Sequence, residues 1–193
     1  DGKHMIKESL KYIATELDDF LKRKYNSQES RVQLGAILDQ GGAIPEENRN
    51  KVLVTLVNLE HETTTNTTLH GRVNSGKLDQ YYPPLSFNMN ILFSGLFNQY
   101  EESLKFISDT IYFFQAKPIF NAQNSPNLDS RVLQLTLEVL KLNSNETYNL
   151  WSSMGAKYVP SIVFKVRMLT FQADQVMEIV SIINTQGVEA RPV

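Results

Sequence analysis

Between Leu85 and Ser94 large apolar residues alternate with mostly polar ones: Leu85, Phe87, Met89, Ile91 and Phe93 against Ser86, Asn88, Asn90, Leu92 and Ser94. A period of two belongs to a strand, so this run predicts one greasy face and one wetter face. After Gly95 the period lengthens. Tyr100, Leu104, Ile107, Ile111 and Phe114 recur at spacings of four and three, which predicts an amphipathic helix, and Asn98 followed by Glu101 has the residue types of a capping box. Strand and helix are each other's nearest partners, so residues 85–115 predict the nucleus around which the rest of the chain is organised.

The same reading extends along the chain. Ile6, Leu10, Ile13, Leu17 and Phe20 predict a helix from about Ile6 to Tyr25, closed by the Asn26–Ser30 run. It is too short for the sustained heptads of a coiled coil, and packing on a sheet is the expected use. Val32–Ile37 predicts a short strand, followed by a turn-rich stretch with Gly41, Gly42 and Pro45. From Val52 both alternating sets are apolar, Val52, Val54 and Leu56 against Leu53, Val57 and Leu59, as in a strand covered on both faces. Leu133, Leu135, Leu137 and Val139 alternate with Gln134, Thr136 and Glu138. Ile162, Phe164, Val166 and Met168 oppose Lys165 and Arg167. Between these two strands, Asn143 or Ser144 caps a short helix carrying Leu150, Trp151 and Met154 and ending at Gly155.

The sum is an α+β chain: one mixed or mainly antiparallel sheet of about five strands, with two longer helices and one short helix packed on it. Residues 1–4 read as an expression scar ahead of Met5, which sets His4 aside. Residues 5–172 read as a single domain and 173–193 as a C-terminal arm, extended or a short helix, with the extended form favoured by its β-branched residues.

One stretch departs from these patterns. Residues 63–80 are polar, carry Gly and Asn and hold almost no large apolar groups, so they read as a long structureless connection: either a floppy excursion or a loop that orders against a partner. Within it, Gly71, Gly76 and Lys77 have the spacing of a phosphate-binding loop. The chemistry fails at Leu78, which has no hydroxyl for magnesium, and the Tyr-Tyr-Pro-Pro run that follows cannot open a helix. A nucleotide-binding enzyme is therefore the weakest reading.

Composition narrows the field further. The chain has 193 residues, 41% of them hydrophobic, enough to bury about 70% of its unfolded surface. It contains no cysteine, which removes disulfides, thiol nucleophiles and thiolate metal sites. The net charge of −2 comes without a basic block, and no apolar run reaches the length of a membrane span. Nucleic acid and membrane insertion are thus not expected, and the absence of a signal-peptide core predicts folding in the cytoplasm. His61 and His70 lack the spacing of a helical zinc pair, and no nucleophile elbow or carboxylate pair in an apolar setting occurs. Glu60 and Glu62 share a strand face and are expected to repel each other. No catalytic residue, metal site or cofactor is predicted. Asn88, Asn90, Gln134, Thr136, Glu138, Lys165 and Arg167 all oppose apolar strand faces; if the strands are neighbours, they form a polar outer sheet surface that meets solvent or another subunit.

Several segments in order carry a resemblance: Val32-Gln-Leu-Gly, Val52-Leu-Val-Thr-Leu-Val-Asn-Leu-Glu, Leu85-Ser-Phe-Asn-Met-Asn-Ile-Leu-Phe-Ser, Tyr100-Glu-Glu-Ser-Leu-Lys and Phe113-Phe-Gln. They continue with Leu150-Trp-Ser-Ser-Met-Gly-Ala-Lys-Tyr-Val-Pro-Ser and Phe164-Lys-Val-Arg-Met-Leu-Thr. From about Ile6 to Thr170 the chain resembles the N-terminal-domain family of cap or tube-terminator proteins from phage-tail-like extracellular contractile injection systems. The resemblance implies a bacterial structural part: a homo-oligomeric ring, a hexamer, on the tail tube that stops polymerisation and caps the sheath. It would assemble in the cytoplasm and then join a released or anchored particle. Its partners would be itself and the tube and sheath proteins. The family has no catalytic residues to transfer, only motif positions such as Asn58, Glu60, Asn88, Trp151, Lys165 and Arg167. The expected interface residues are Asn66, His70, Arg72 and Lys77 in the polar stretch, with Asn88, Asn90, Lys165 and Arg167 on the sheet. A monomeric adaptor bridging two proteins is the alternative.

Overall fold

The computed structural model describes residues 4–63, 70–74, 77–81, 84–171 and 176–181. In order these form α1 (Met5–Tyr25), β1 (Val32–Leu34), a 3-10 turn (Glu46–Asn48), β2 (Lys51–His61), β3 (His70–Asn74), β4 (Lys77–Tyr81) and β5 (Leu85–Leu96). Then follow α2 (Tyr100–Ala116), β6 (Ile119–Asn121), β7 (Gln134–Val139), α3 (Ser144–Ser153), β8 (Ser161–Phe171) and β9 (Val176–Ser181). The chain divides into two compact units: residues up to His61 together with Phe87–Leu169, and Glu62–Ser86 together with the chain from Thr170.

The first unit is built on a mixed six-stranded sheet of order β1-β2-β5-β8-β7-β6. β1 runs parallel to β2, while β2 with β5, β7 with β8 and β6 with β7 are antiparallel. Five of these strands are those expected from periodicity; β6 has only three residues, too few to show a period. One face is closed by α1 and α2 through aromatic packing. Phe114 of α2 meets Phe93, Phe164 and Phe120 at centroid distances of 5.1, 5.2 and 6.4 Å. Tyr12 and Phe20 of α1 reach Phe120 and Phe113. On the other face α3 seats Trp151 in a cluster with Ile37, Leu53, Leu92, Leu96 and Val163.

Buried polar groups tie helices to strands. The Asp18 carboxylate of α1 accepts the amides of Arg31 and Val32 at 2.7 and 3.1 Å and pairs with Lys22, which anchors the entry to β1. Asp109 of α2 accepts Lys24 Nζ at 2.5 Å and the Tyr25 hydroxyl, locking the end of α1 to α2. A Cβ on Gly95 would lie 3.0 Å from Ser103 backbone and side-chain atoms, so the glycine permits the close approach of β5 and α2.

Four details differ from the periodic reading. Gln99, not Asn98, occupies the cap of α2, and it makes no side-chain cap bond. The entry is held instead by Ser103 Oγ, which donates to the Gly95 carbonyl and accepts the Phe97 amide. The buried face of α2 is rotated: Tyr100, Leu104 and Ile111 are exposed while Ser103, Phe106, Thr110 and Phe113 are buried, because the Gly95–Ser103 contact sets how the helix rolls onto the sheet. In β2 a bulge between Leu56 and Asn58 shifts the alternation, so Leu59 lies opposite Met89 on the α1/α2 face, not with Leu53. Leu133 precedes β7 and is 86% exposed, and Val139 is also exposed, leaving Leu135 and Leu137 as the buried pair. Of the two expected caps for α3, Asn143 is the one used, and it is part of a capping box: Asn143 accepts the Glu146 amide at 3.0 Å and Glu146 accepts the Asn143 amide at 2.7 Å.

The second unit holds a separate antiparallel sheet of order β3-β4-β9. Part of the stretch expected to be structureless is therefore a hairpin, with His70 opposite Tyr81 and Asn74 opposite Lys77, and backbone pairing supplies the order that side-chain pattern did not announce. Val176–Ser181 is extended, pairing with β4.

Candidate protein interface

The α3 face of the main sheet carries polar side chains in register. Glu60 of β2, Asn90 of β5 and Lys165 of β8 project to this side, as do Thr136 and Glu138 of β7 and Arg167 of β8. Cross-strand register places Thr136 opposite Arg167 and Glu138 opposite Lys165. Glu60 sits at the centre. Its Oε2 accepts Lys165 Nζ at 2.5 Å and its Oε1 accepts Asn90 Nδ2 at 2.6 Å. Glu60 is thus paired across the sheet with Lys165 and Asn90. The side chains of Lys165 and Glu60 are 23% and 35% exposed, enough shielding to strengthen the pair beyond a surface contact but not to strand it. Arg167 reaches Glu138 at 3.6 Å, diagonally across β7 and β8, with both side chains 53% exposed.

The expected outer surface is therefore present in part. Lys165 and Arg167 are brought together on one face, and Lys165 is joined to Asn90 through Glu60. Asn88 and Asn90, however, are only 2% and 4% exposed, which corrects their placement on a water-facing surface. Alternation identifies which side a strand residue faces but not whether another layer covers it. Trp151 is buried and packs edge-on against Tyr158 at 5.4 Å, a core role. His61 is exposed and lies against Phe87 at 5.4 Å.

In the second unit His70 and Arg72 are positions of β3 and Lys77 opens β4. Asn66 lies outside the described residues. The backbone also disposes of the phosphate-loop reading, since Gly71 belongs to a strand and Lys77 begins the paired strand instead of a helix, so no row of helix N-terminal amides follows the lysine.

What the face can do is bind through shape and charge. Two features on it were not legible from sequence: the cross-sheet partner of Glu60, and an open groove where Val57, Leu140, Leu142, Leu150 and Val163 meet Asn90 beside α3. Neither has a local signal, because both depend on strands and a helix that only the fold brings together.

The sequence matches the Pvc16 N-terminal domain family over residues 11–185. No curated protein sequence matches it. Among solved structures, it is similar to the sheath/tube terminator, in its extended state, of the extracellular contractile injection system PVC, at 13% identity and a TM-score of 0.54, covering 94% of this chain and 63% of that one. It is also similar to the tube-terminating cap of the anti-feeding prophage, at 15% identity and a TM-score of 0.56, covering 92% of this chain and 60% of that one. The chain thus spans less than two thirds of the length of these two terminators.

Proposed function

The chain belongs to the Pvc16 N-terminal domain family, and from that premise we propose that it is a terminator or cap of the tube in a contractile injection system, a structural part and not an enzyme. The observation that carries this reading is the shared fold with two terminator chains across 94% and 92% of this chain. A growing tube continues because each ring templates the next. A terminator satisfies that template on one side and offers a surface that cannot propagate on the other. Head-to-tail contacts that close on themselves give a ring in place of a filament. The proposal extends to a hexameric ring, contact with tube and sheath proteins, assembly in the cytoplasm and later residence in the particle.

The contact surfaces proposed are the exposed Arg167 and the half-buried Lys165 on the sheet, and Asn66, His70, Arg72 and Lys77 of the polar stretch. Asn90 supports this surface from beneath by holding Glu60. Asn88 is a buried neighbour of that support. The test is electron microscopy of particles from cells lacking the protein. Tubes of uncontrolled length are expected, with normal length restored by the intact gene. Tubes of normal, uniform length in the deletion strain would remove the termination role.

A further inference from the structure

β2 is longer than the neighbour that covers it. β1 pairs only with Val52, Leu53 and Val54, and the Gly35 amide adds a last bond to the Val54 carbonyl at 3.1 Å. From Leu56 to His61, β2 pairs with β5 on one side. Among the described residues no strand runs along the other side. This leaves an edge about 20 Å long, at roughly 3.3 Å per residue. Such an edge presents backbone N–H and C=O groups at the spacing that an extended chain satisfies. The run Leu-Val-Asn-Leu-Glu-His carries no proline and no lysine, the residues that commonly blunt an edge.

Each face beside this edge holds an open apolar groove. On the α1 side Ile6, Leu10, Leu34, Val54 and Leu56 line a groove of about 450 Å³. On the α3 side Val57, Leu140, Leu142, Leu150 and Val163 line one of about 420 Å³ that also contains Asn90. Asn90 lies at the floor of this groove, its Oδ1 atom buried without a hydrogen-bond partner. Successive side chains of a strand point to opposite faces, so one added strand would place side chains in both grooves.

We propose that Leu56–His61 is a docking edge for an extended segment of a second protein, with apolar residues at successive positions so that both faces of the added strand are filled. A single segment fits better than the edge of another folded sheet. The first turns of α1 line one groove and α3 the other, so an incoming sheet with its own covering layers would meet a helix on both sides. The inference rests on the edge and its grooves, and stands apart from the terminator reading.

The test uses the intact chain and a capped peptide, Lys-Thr-Val-Leu-Val-Thr-Lys, whose central residues offer apolar side chains to both faces, with two versions N-methylated on its odd or its even residues. Fluorescence anisotropy gives affinity, and hydrogen exchange reads the amides of residues 56–61. The parent peptide should bind and slow exchange in that segment at least tenfold. One of the two methylated peptides should bind at least tenfold more weakly, because only one set of its nitrogens faces β2. The proposal is overturned if the parent peptide does not bind or if both methylated peptides bind as well as the parent. It is equally overturned if the segment is already protected in dilute protein alone, which means the chain covers its own edge. Protection that grows with protein concentration alone would assign the edge to a second copy and overturn it too.

Discussion

On the α1/α2 face of the main sheet, Phe93, Phe120 and Phe164 close around Phe114 and the aromatic layer is continuous from β5 to β6. On the opposite face α3 buries one apolar cluster around Trp151, while elsewhere Glu60, Asn90 and Lys165 are bonded to one another beside an open groove. The same strands build both faces, so the difference lies in what covers them. A face covered by two long helices buries a continuous aromatic layer and stays open only beside the β2 edge; a face covered by one short helix also keeps charged strand positions within reach of a partner.

This contrast breaks if removing the aromatic centre costs little. Phe114→Ala should lower unfolding free energy by about 3–5 kcal/mol in urea denaturation, as expected for a buried phenylalanine that leaves a cavity. A loss below about 2 kcal/mol would put the two faces on an equal footing. Gly95→Ala tests how tightly the same side is packed. With Ser103 atoms 3.0 Å from the added methyl, it should cost about 1–3 kcal/mol through forced backbone movement; an unchanged denaturation midpoint would mean that β5 and α2 can separate freely.

On the α3 side the effects should be smaller. Asn143→Ala removes the capping box of the short helix and should cost about 1 kcal/mol. If Tm does not move, the helix is held by Trp151 alone. A double-mutant cycle with Glu60→Gln and Lys165→Met should give a coupling of about 0.5–1 kcal/mol that shrinks in high salt. Zero coupling at low salt would reduce this pair to a surface accident and weaken the contrast from the other direction.

The effect at the α1–α2 junction is read in alkaline solution. Burial, followed by the hydrogen bond and charge of Asp109, raises the Tyr25 pKa above its ordinary value of 10.0. The fold therefore favours the protonated phenol. The resulting stability is complete below the unfolded pKa and is lost as pH climbs from there towards the higher folded value. Tyr25→Phe should flatten the fall of Tm above about pH 10. A variant whose alkaline profile is as steep as that of the parent would show that this phenol does not link folding to pH.

Strand and helix positions were readable because covalent geometry imposes fixed periods. Leu135 and Leu137, Phe164 and Val166, and Leu10, Ile13 and Leu17 report which side of their element turns inward, and Asn143 reports a helix start through a cap bond made within four residues. The failures share a cause. The roll of α2 depends on Ser103 meeting Gly95, the parity of Leu59 on one bulge in β2, and the burial of Asn88 and Asn90 on what covers their strand. His70 and Lys77 fall in a hairpin whose order comes from backbone pairing with β9, about a hundred residues away.

The amino-acid order alone thus determined the α+β class, the main elements and the absence of a thiol-based chemistry, since these follow from local periods and from residue types. Tertiary structure alone decided that Glu60 meets Lys165 and Asn90, that β2 outruns β1, and that grooves flank the exposed run. Those relations join strands far apart in the chain, and they exist only once hydrogen-bond register and helix packing have set which side chains face each other.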